Sequence, residues 1–560
     1  MKIKSTIKKI VLILLLLTGL HQQKGFAQAP TWQWARGAGS SGSEMASGSA
    51  LDASGNLYVV GWYTSATITF GATTLTNPGS FTGNVFLVKY DASGNALWAK
   101  NYGGVDGELG NAVAVDAAGN VYITGLYTST VMAMDSYTLT NSATGSSDIF
   151  ITKIDPAGNV IWALSAGGSS ADRGNSITVD ALGNVFTTGG FNSPFINFGT
   201  GILTNAGSGS SDFFIVKHNA AGTPLWSKRV GGTGTETGNG VATDSLGSIY
   251  LTGVYSSPSI DFGVGTLTNS GAQDLFVAKY SSIGNTDWSL GYGGSLDDYG
   301  NSVAVRKNNV YVTGGFNSAS INFSTTTLTN ASAGTSDALL TKYDLGGNAM
   351  WAKKSGGTDS EAGNCVAVDV AGNVYATGFF SSSTIMFDAI TVTNSAFGTR
   401  DLFIATYDGS GNALWAIEEG DAFDETAYCI SVNASGMDIY VGGSFNSSMV
   451  AFGPYNIFKG CGDDVFVAKL LGPLVGIKEE NVSQKLILYP NPTNGKFTVE
   501  AEGQIVFYNV LGEIILEQNL KNKNQLTQNE FDFSSQPKGI YFYQVITEKK
   551  GIYTGRVVVE

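Results

Sequence analysis

The sequence repeats itself seven times, and this constrains the fold more than any single residue does. Aligned on tryptophan, the copies carry Trp34, Trp98, Trp162, Trp226, Trp288, Trp351 and Trp415, spaced by 64, 64, 64, 62, 63 and 64 residues. A unit of this length cannot bury its own apolar faces, so neighbouring units must stack into one continuous core. The period therefore overrides the several separate domains that 560 residues would otherwise suggest.

Each copy holds four runs of strand character, termed A, B, C and D. In the second copy they cover residues 111–116, 120–124, 148–155 and 159–163. The A to B link reads D-x-x-G-N at Asp52, Asp116, Asp180 and Asp369, and the C to D link repeats it at Asp91, Asp155, Asp344 and Asp408. Aspartate can accept a hydrogen bond from the backbone two residues on, and glycine tolerates the left-handed conformation, so this is tight-turn chemistry. The spacing does not fit the D-x-[DN]-x-[DN]-G calcium loop.

The ends of the array define its closure. The N-terminal copy begins with a lone D run at 32–36, whereas the last copy has A (428–433), B (439–442) and C (464–470) but no D. A closed ring accounts for the split, because the N-terminal strand completes the last sheet and removes both open edges. The expectation is an all-β chain: a seven-bladed β-propeller closed by an N-terminal strand that completes the last blade, then a small C-terminal β-sandwich. Small residues in the A runs (Ala112 and Ala114; Cys365 and Ala367) and tryptophan in the D runs suit the wedge-shaped gap between radiating blades.

The repeat also has a family likeness. Gly103 and Gly104, Glu108, the segment 113–125, Phe150 and Lys153 follow a pattern that resembles the SBBP family of β-propeller repeats, over residues 32–470. Departures are local: Arg306-Lys307-Asn308-Asn309 replaces the fifth A to B turn, and the seventh copy lacks a clear Leu-Thr-Asn. The resemblance implies a propeller and an extracellular setting, but no single activity.

The flanks read as address. Lys2, Lys4, Lys8 and Lys9 precede an apolar run at 10–20 and then Gly25-Phe26-Ala27, as in a signal peptide (1–27) cleaved before Gln28. That run is short for a membrane span, and no later stretch is long enough. A propeller at 28–470, a linker at 471–484 and a C-terminal domain at 485–560 complete the expected organisation. Three motifs in the last domain contain Pro490, Asn491, Pro492 and Gly495, then Gly512, then Gly539 and Tyr541. Together they resemble the type A C-terminal sorting domain of the type IX secretion system. The resemblance implies passage through the periplasm, engagement of that machinery as partner, and export across the outer membrane of a Bacteroidetes-type bacterium, with the mature protein secreted or held at the cell surface.

Charge and residue inventory narrow the function. Residues 28–474 hold 17 Lys and Arg against 35 Asp and Glu, a field that repels a phosphate backbone and argues against nucleic acid as ligand. The only histidine beyond the leader, His218, sits where other copies have Tyr90, Tyr280 or Leu470, so a histidine-based zinc site cannot be assembled. Cys365 and Cys429 share one strand position in adjacent copies, which suits small core residues or, as an alternative, a disulfide between neighbours; Cys461 stands apart. The sequence contains no G-x-S-x-G, HExxH, Walker loop or S-x-D-x-G-x-T-W box.

Strand alternation puts the tight turns on one face and the long B to C loops and D to A crossings on the other, where a binding site is expected. Two constellations fall there. Three residues ahead of each A run stands an acid: Glu44, Glu108, Asp172, Glu236, Asp298, Glu361 and Glu425. These acids could bind a cation, with calcium the one candidate cofactor, or could accept backbone N–H bonds from the glycine-rich crossings and tie blade to blade. Just past each B run stands an aromatic: Tyr63, Tyr127, Phe191, Tyr255, Phe316, Phe380 and Phe445. These rings could stack on a glycan or meet a protein, or could anchor their own loops against elements such as Ile196 and Phe198, or Ile260 and Phe262. The expected function is a non-enzymatic binding or adhesion module for a glycan or protein. Its alternatives are a carbohydrate-active enzyme using paired carboxylates on the loop face and a scaffold without a small ligand.

Overall fold

The computed structural model describes residues 30–79, 82–324, 326–472, 487–500, 503–509, 514–520, 528–546 and 552–560. The expected signal peptide, most of the expected linker and Gly512 lie outside the described residues. The described chain is all β and divides into two compact units, one up to Leu474 and one from Val475.

The first unit contains seven four-stranded antiparallel sheets, each ordered A-B-C-D. In the second sheet the strands are Glu108–Val115, Val121–Tyr127, Asp148–Ile154 and Val160–Ala166. B and C are buried on both faces, because each sheet is covered by a neighbour on either side, and both read as near-continuous apolar runs. D alternates, burying Trp162 and exposing Ile161. The A strand starts earlier than the sequence suggests. Glu108 already pairs with Tyr127, and a bulge between Gly110 and Ala112 then breaks the alternation that would have revealed those first residues.

The bulge has a use. In five consecutive sheets an asparagine occupies it, and its side-chain amide reaches the A-strand backbone of the next sheet. Asn111, Asn175, Asn239, Asn301 and Asn364 donate to the carbonyls of Gly174, Gly238, Gly300, Gly363 and Ala427 at 2.8–3.0 Å. A strand therefore touches A strand from each sheet to the next, and the A strand of the seventh sheet touches that of the first. There Ser49 and Ser431 share a hydrogen bond of 2.8 Å. The seventh sheet is assembled from both ends of the array, because Thr31–Ala38 pairs with Asp464–Leu471 as its D strand.

On the tight-turn face a second set of groups joins the sheets. Lys89 Nζ and Trp98 Nε1, on the C and D strands of the first sheet, both donate to the Pro156 carbonyl in the C to D turn of the second, at 3.4 and 3.2 Å. The arrangement recurs with Lys153 and Trp162 on Ala220, Lys217 and Trp226 on Ser282, Lys279 and Trp288 on Leu345, and Lys342 and Trp351 on Gly409. Lys469 and Trp34 hold Ala92 across the seam. Each lysine also lies 4.8–5.7 Å from an aromatic ring of its own B strand, so its charge is buried with a π face and a carbonyl to replace water. The turn comes so close to the indole that Gly94, at φ +79°, leaves no room for a Cβ against Trp34.

The sixth sheet breaks this pattern for a topological reason. The seventh sheet has no C to D turn, since its D strand comes from the N-terminus, so no carbonyl awaits the sixth sheet's groups. Correspondingly the lysine is replaced by Thr406, and Trp415 Nε1 makes no hydrogen bond among the described residues.

The turns use their aspartates internally. Asp116 Oδ1 accepts the N–H groups of Ala118 and Asn120, both at 2.9 Å, while Oδ2 accepts Asn120 Nδ2 and the Tyr122 hydroxyl. Each B to C loop carries a two-stranded hairpin, for example Val131–Met134 with Tyr137–Thr140. The asparagine of the Leu-Thr-Asn segment pins it: Asn141 Nδ2 donates to the Tyr127 and Ser146 carbonyls.

The second unit pairs a three-stranded with a four-stranded sheet around Phe497, Phe507, Phe531 and Phe533. In it Asn491 Nδ2 donates to Arg556 O and the Tyr541 hydroxyl donates to Pro537 O, which gives two sorting-motif residues a structural role.

Trp162→Phe keeps a ring in the gap and removes one donor to Ala220. It should cost about 1 kcal/mol in urea unfolding, whereas Trp415→Phe should cost only a small fraction of that.

Candidate functional site

The seven acids are the first residues of the A strands and are all but inaccessible to solvent, at 0–1% exposure. Glu108 Oε2 accepts the N–H of Gly104 at 2.9 Å and Oε1 that of Ser129 at 3.2 Å. Ser129 Oγ in turn accepts the Asp106 N–H of the crossing at 2.8 Å. The same serine recurs as Ser65, Ser193, Ser257, Ser318, Ser382 and Ser447, every one fully or almost fully buried. It donates to the acid at Glu44, Asp172, Asp298 and Glu361. Glu108 N–H also donates to Gly83 O of the preceding sheet. The acids thus fasten the crossings to the loops. Among the described residues no group of three or more His, Cys, Asp or Glu side chains is placed to hold a metal ion.

Sequence reasoning missed a second buried set facing them. The first residue of each C strand is Asn84, Asp148, Asp212, Asp274, Asp337, Asp401 or Asp464, all buried. Their recurrence was visible, but it looked like an ordinary strand start. Each lies under the first glycine of the crossing, where a Cβ, at Gly167 for instance, would collide with Asp148 Oδ1. In six sheets an aspartate therefore sits close to the next sheet's acid, and its Oδ1 has no hydrogen-bond partner. Burial raises the pKa values of several of these carboxyls. Glu44, Glu361 and Glu425 rise to about 7 and Asp172 to about 6, with neighbouring carboxylates adding to the shift.

The seven aromatics lie within the core. Tyr63, Tyr127, Phe191, Tyr255, Phe316, Phe380 and Phe445 are all at 0% exposure and present no ring to solvent. Phe191 packs with Ile196 and Phe198, and Tyr255 with Ile260 and Phe262, so each ring anchors its own hairpin. A buried ring cannot stack on a glycan, which removes the geometric basis for a binding ring at these positions. His218 is a buried C-strand residue whose pKa burial pushes down to about 4, leaving it neutral. Cys365, Cys429 and Cys461 are free thiols.

With the repeated groups buried, what distinguishes one part of the loop face from another is its departures from the repeat. One such departure is at the junction of the sixth and seventh sheets. One D-strand position faces the C-strand aspartate. It holds Arg229 in the third sheet, 2.8 Å from Asp212, and Lys354 in the fifth, 3.0 Å from Asp337. In the sixth it holds Glu418. Burial, reinforced by Asp401, raises Glu418 to about 7, and burial raises the adjacent Glu419 to about 8. Glu419 Oε1 accepts the Trp32 Nε1–H of the closing strand. On the B to C loop of the sixth sheet and on the crossing that follows it, Phe397 and Phe423 are 86% and 56% exposed, where most other copies have small or polar residues.

Comparison with known proteins agrees with the architecture. Residues 487–560 match the secretion system C-terminal sorting domain, and residues 161–195 and 225–254 match the SBBP β-propeller repeat. The chain carries β-propeller repeats and a type IX secretion sorting domain. It is accordingly exported by that system to the cell surface or extracellular space. An uncharacterized WD repeat-containing protein of Acanthamoeba polyphaga mimivirus is 25% identical over 531 residues, covering 79% of this chain and 38% of that protein. The regulatory protein FlaEY of Caulobacter vibrioides is 27% identical over 210 residues, covering 36% of this chain and 22% of its own length. The chain thus spans less than two fifths of either relative. Among solved structures, the WD40 repeats of RRP9 align at a TM-score of 0.42 and 9% identity, covering 79% of this chain and 99% of that one. A gluconolactonase of Xanthomonas campestris aligns at 0.30 and 12% identity, covering 64% and 84%. No helix among the described residues is long and apolar enough to cross a membrane.

The raised carboxyls give a signed pH dependence. A folded-state pKa above the unfolded value means that the native state binds the proton more tightly. This stabilisation is complete below the unfolded values of 4.5 for Glu361 and 3.8 for Asp172, and is lost as pH rises through about 7 and about 6 respectively. The melting temperature, followed by calorimetry, should therefore fall from pH 5 to pH 8, and Glu361→Gln should flatten that fall.

Proposed function

We propose that the mature protein is a non-enzymatic binding and adhesion module of the bacterial surface, meeting a glycan or protein partner on the loop face. The observation that carries this reading is the patch at the junction of the sixth and seventh sheets. It combines exposed aromatic rings and carboxyls on a face whose repeated polar groups are otherwise spent on the fold. Against a glycosidase stands the burial of the paired carboxylates at the sheet junctions, which peptide N–H groups hold away from any sugar.

Export places the module where such a partner would be met. We further assign residues 1–27 to a signal peptide, 28–470 to the propeller, 471–484 to a linker within or near which the sorting domain is removed, and the source to a Bacteroidetes-type bacterium.

Two experiments test this. The mature chain, applied to an array of polysaccharides, host glycans and surface proteins with and without calcium, should bind saturably to at least one class. Absence of binding throughout would favour a scaffold. Deleting residues 487–560 should trap the protein in the periplasm, and normal surface display of the deletion would refute the sorting role.

A further inference from the structure

We propose that the junction between the sixth and seventh sheets receives a lysine or arginine side chain of a partner polypeptide, in the place that Arg229 and Lys354 fill from within the chain at two other sheets. This rests on the binding-module reading above and names the chemistry of its partner.

The equivalence is set by strand register. Arg229 pairs with Phe214, Lys354 with Leu339, and Glu418 with Phe403, each two residues beyond the buried C-strand aspartate. In the third and fifth sheets the D-strand cation reaches the aspartate Oδ2 at 2.8 and 3.0 Å, with about a third of its side chain exposed (33% and 35%). A side-chain cation therefore fits this position, and the position is open to solvent. The first, second, fourth and seventh sheets have the uncharged Asn101, Ser165, Gly291 and Gly37 at this position, and the sixth alone places a second carboxyl there.

Asp401 is fully buried and its Oδ1 has no partner. Its Oδ2 accepts the Ser395 N–H at 2.5 Å, and Ser395 Oγ lies 3.5 Å from Glu418 Oε2. Two carboxyls thus share a site that two of the sister sheets fill with opposite charges. A buried carboxylate without a counter-charge is costly, and an ammonium or guanidinium supplies that charge, as Arg229 and Lys354 do at Oδ2 of Asp212 and Asp337.

The surroundings suit a side chain better than a metal ion, because among the described residues no third His, Cys, Asp or Glu is placed to join these two carboxyls around a cation. Phe397 lies on the same loop as Ser395. Phe423 lies on the crossing, which is joined to that loop by Arg400 N–H to Asp424 Oδ1 and Glu425 N–H to Arg400 O. Positions equivalent to Phe397 hold Thr144, Ser208 and Ala333 in other sheets. Exposed rings on the loop that contacts both carboxyls and on the crossing joined to it offer apolar contact to the stem of a lysine or arginine and a π face to its head. The one nearby arginine, Arg400, is engaged 4.4 Å over the Phe379 ring.

The test is calorimetric titration of the full mature chain with a hexa-arginine peptide at about 0.15 M salt, where long-range attraction to an acidic protein is largely screened. Saturable binding with one peptide per chain is expected. Glu418→Lys restores the pair seen in the fifth sheet, so it should weaken binding by about tenfold or more while raising the melting temperature. Asp106→Lys makes the same charge change at another crossing of the same face and should alter binding by less than about twofold. Phe397→Ala with Phe423→Ala, which removes only exposed rings, should leave the fold intact and weaken binding several-fold. Equal losses in Glu418→Lys and Asp106→Lys, or no saturable binding to the wild-type chain, would overturn the proposal. So would calcium raising the melting temperature of the wild type but not of Glu418→Lys. If the peptide fails while the array above is positive, this inference falls and the binding-module reading stands.

Discussion

The first unit depends on the pairing of its first strand with its last. Thr31–Ala38 completes the seventh sheet beside Asp464–Leu471, pairing the open edge of its C strand where that sheet meets the first. The B and C strands show why this matters. Apolar residues on both of their faces are stable only between two covering sheets, so an open array would expose such faces at each end.

Given closure, two layers of polar contacts set the spacing of the sheets, one on each face. On the turn face a lysine and a tryptophan converge on a carbonyl of the next sheet. On the loop face, acid, serine and crossing glycine fasten each junction, with a buried aspartate, or in the first sheet Asn84, beneath. Both layers bury charge, and in both the charge is met by peptide groups. The exception to the first layer, Thr406 beside an unbonded Trp415, falls where topology deletes the acceptor. The sequence thus follows the geometry residue by residue.

Much of this could be read from the chain. The tryptophan period, the D-x-x-G-N turns and the unmatched D strand lead to the sheets, their order and the N-terminal strand in the seventh. What escaped was whatever depends on distance between copies. Asn111 looks like a strand residue until the bulge turns its amide toward Gly174. Lys153 looks like a solvated charge until Tyr122 and the Ala220 carbonyl surround it. The aromatics after the B strands were candidates for a ligand because sequence does not show that a hairpin folds over them. Glu418 could have been noticed as the acid where other copies have Arg229 and Lys354, but its importance comes from the buried Asp401 beneath it.

Closure by the earliest strand also sets an order of events. The pairing of Thr31 with Leu471 joins residues 440 apart, whereas strands within the other sheets pair over short loops. The first six sheets can form as soon as their own segments are available, but the seventh must wait for nearly the whole repeat region. Until then Trp32 and Trp34 have no strand to lie against, and the flanks of the array remain sticky. A chain delivered across a membrane end-first would therefore pass through a long-lived, unclosed intermediate. That is the state in which chaperone capture, or pairing with a second copy, would compete with completion of the propeller.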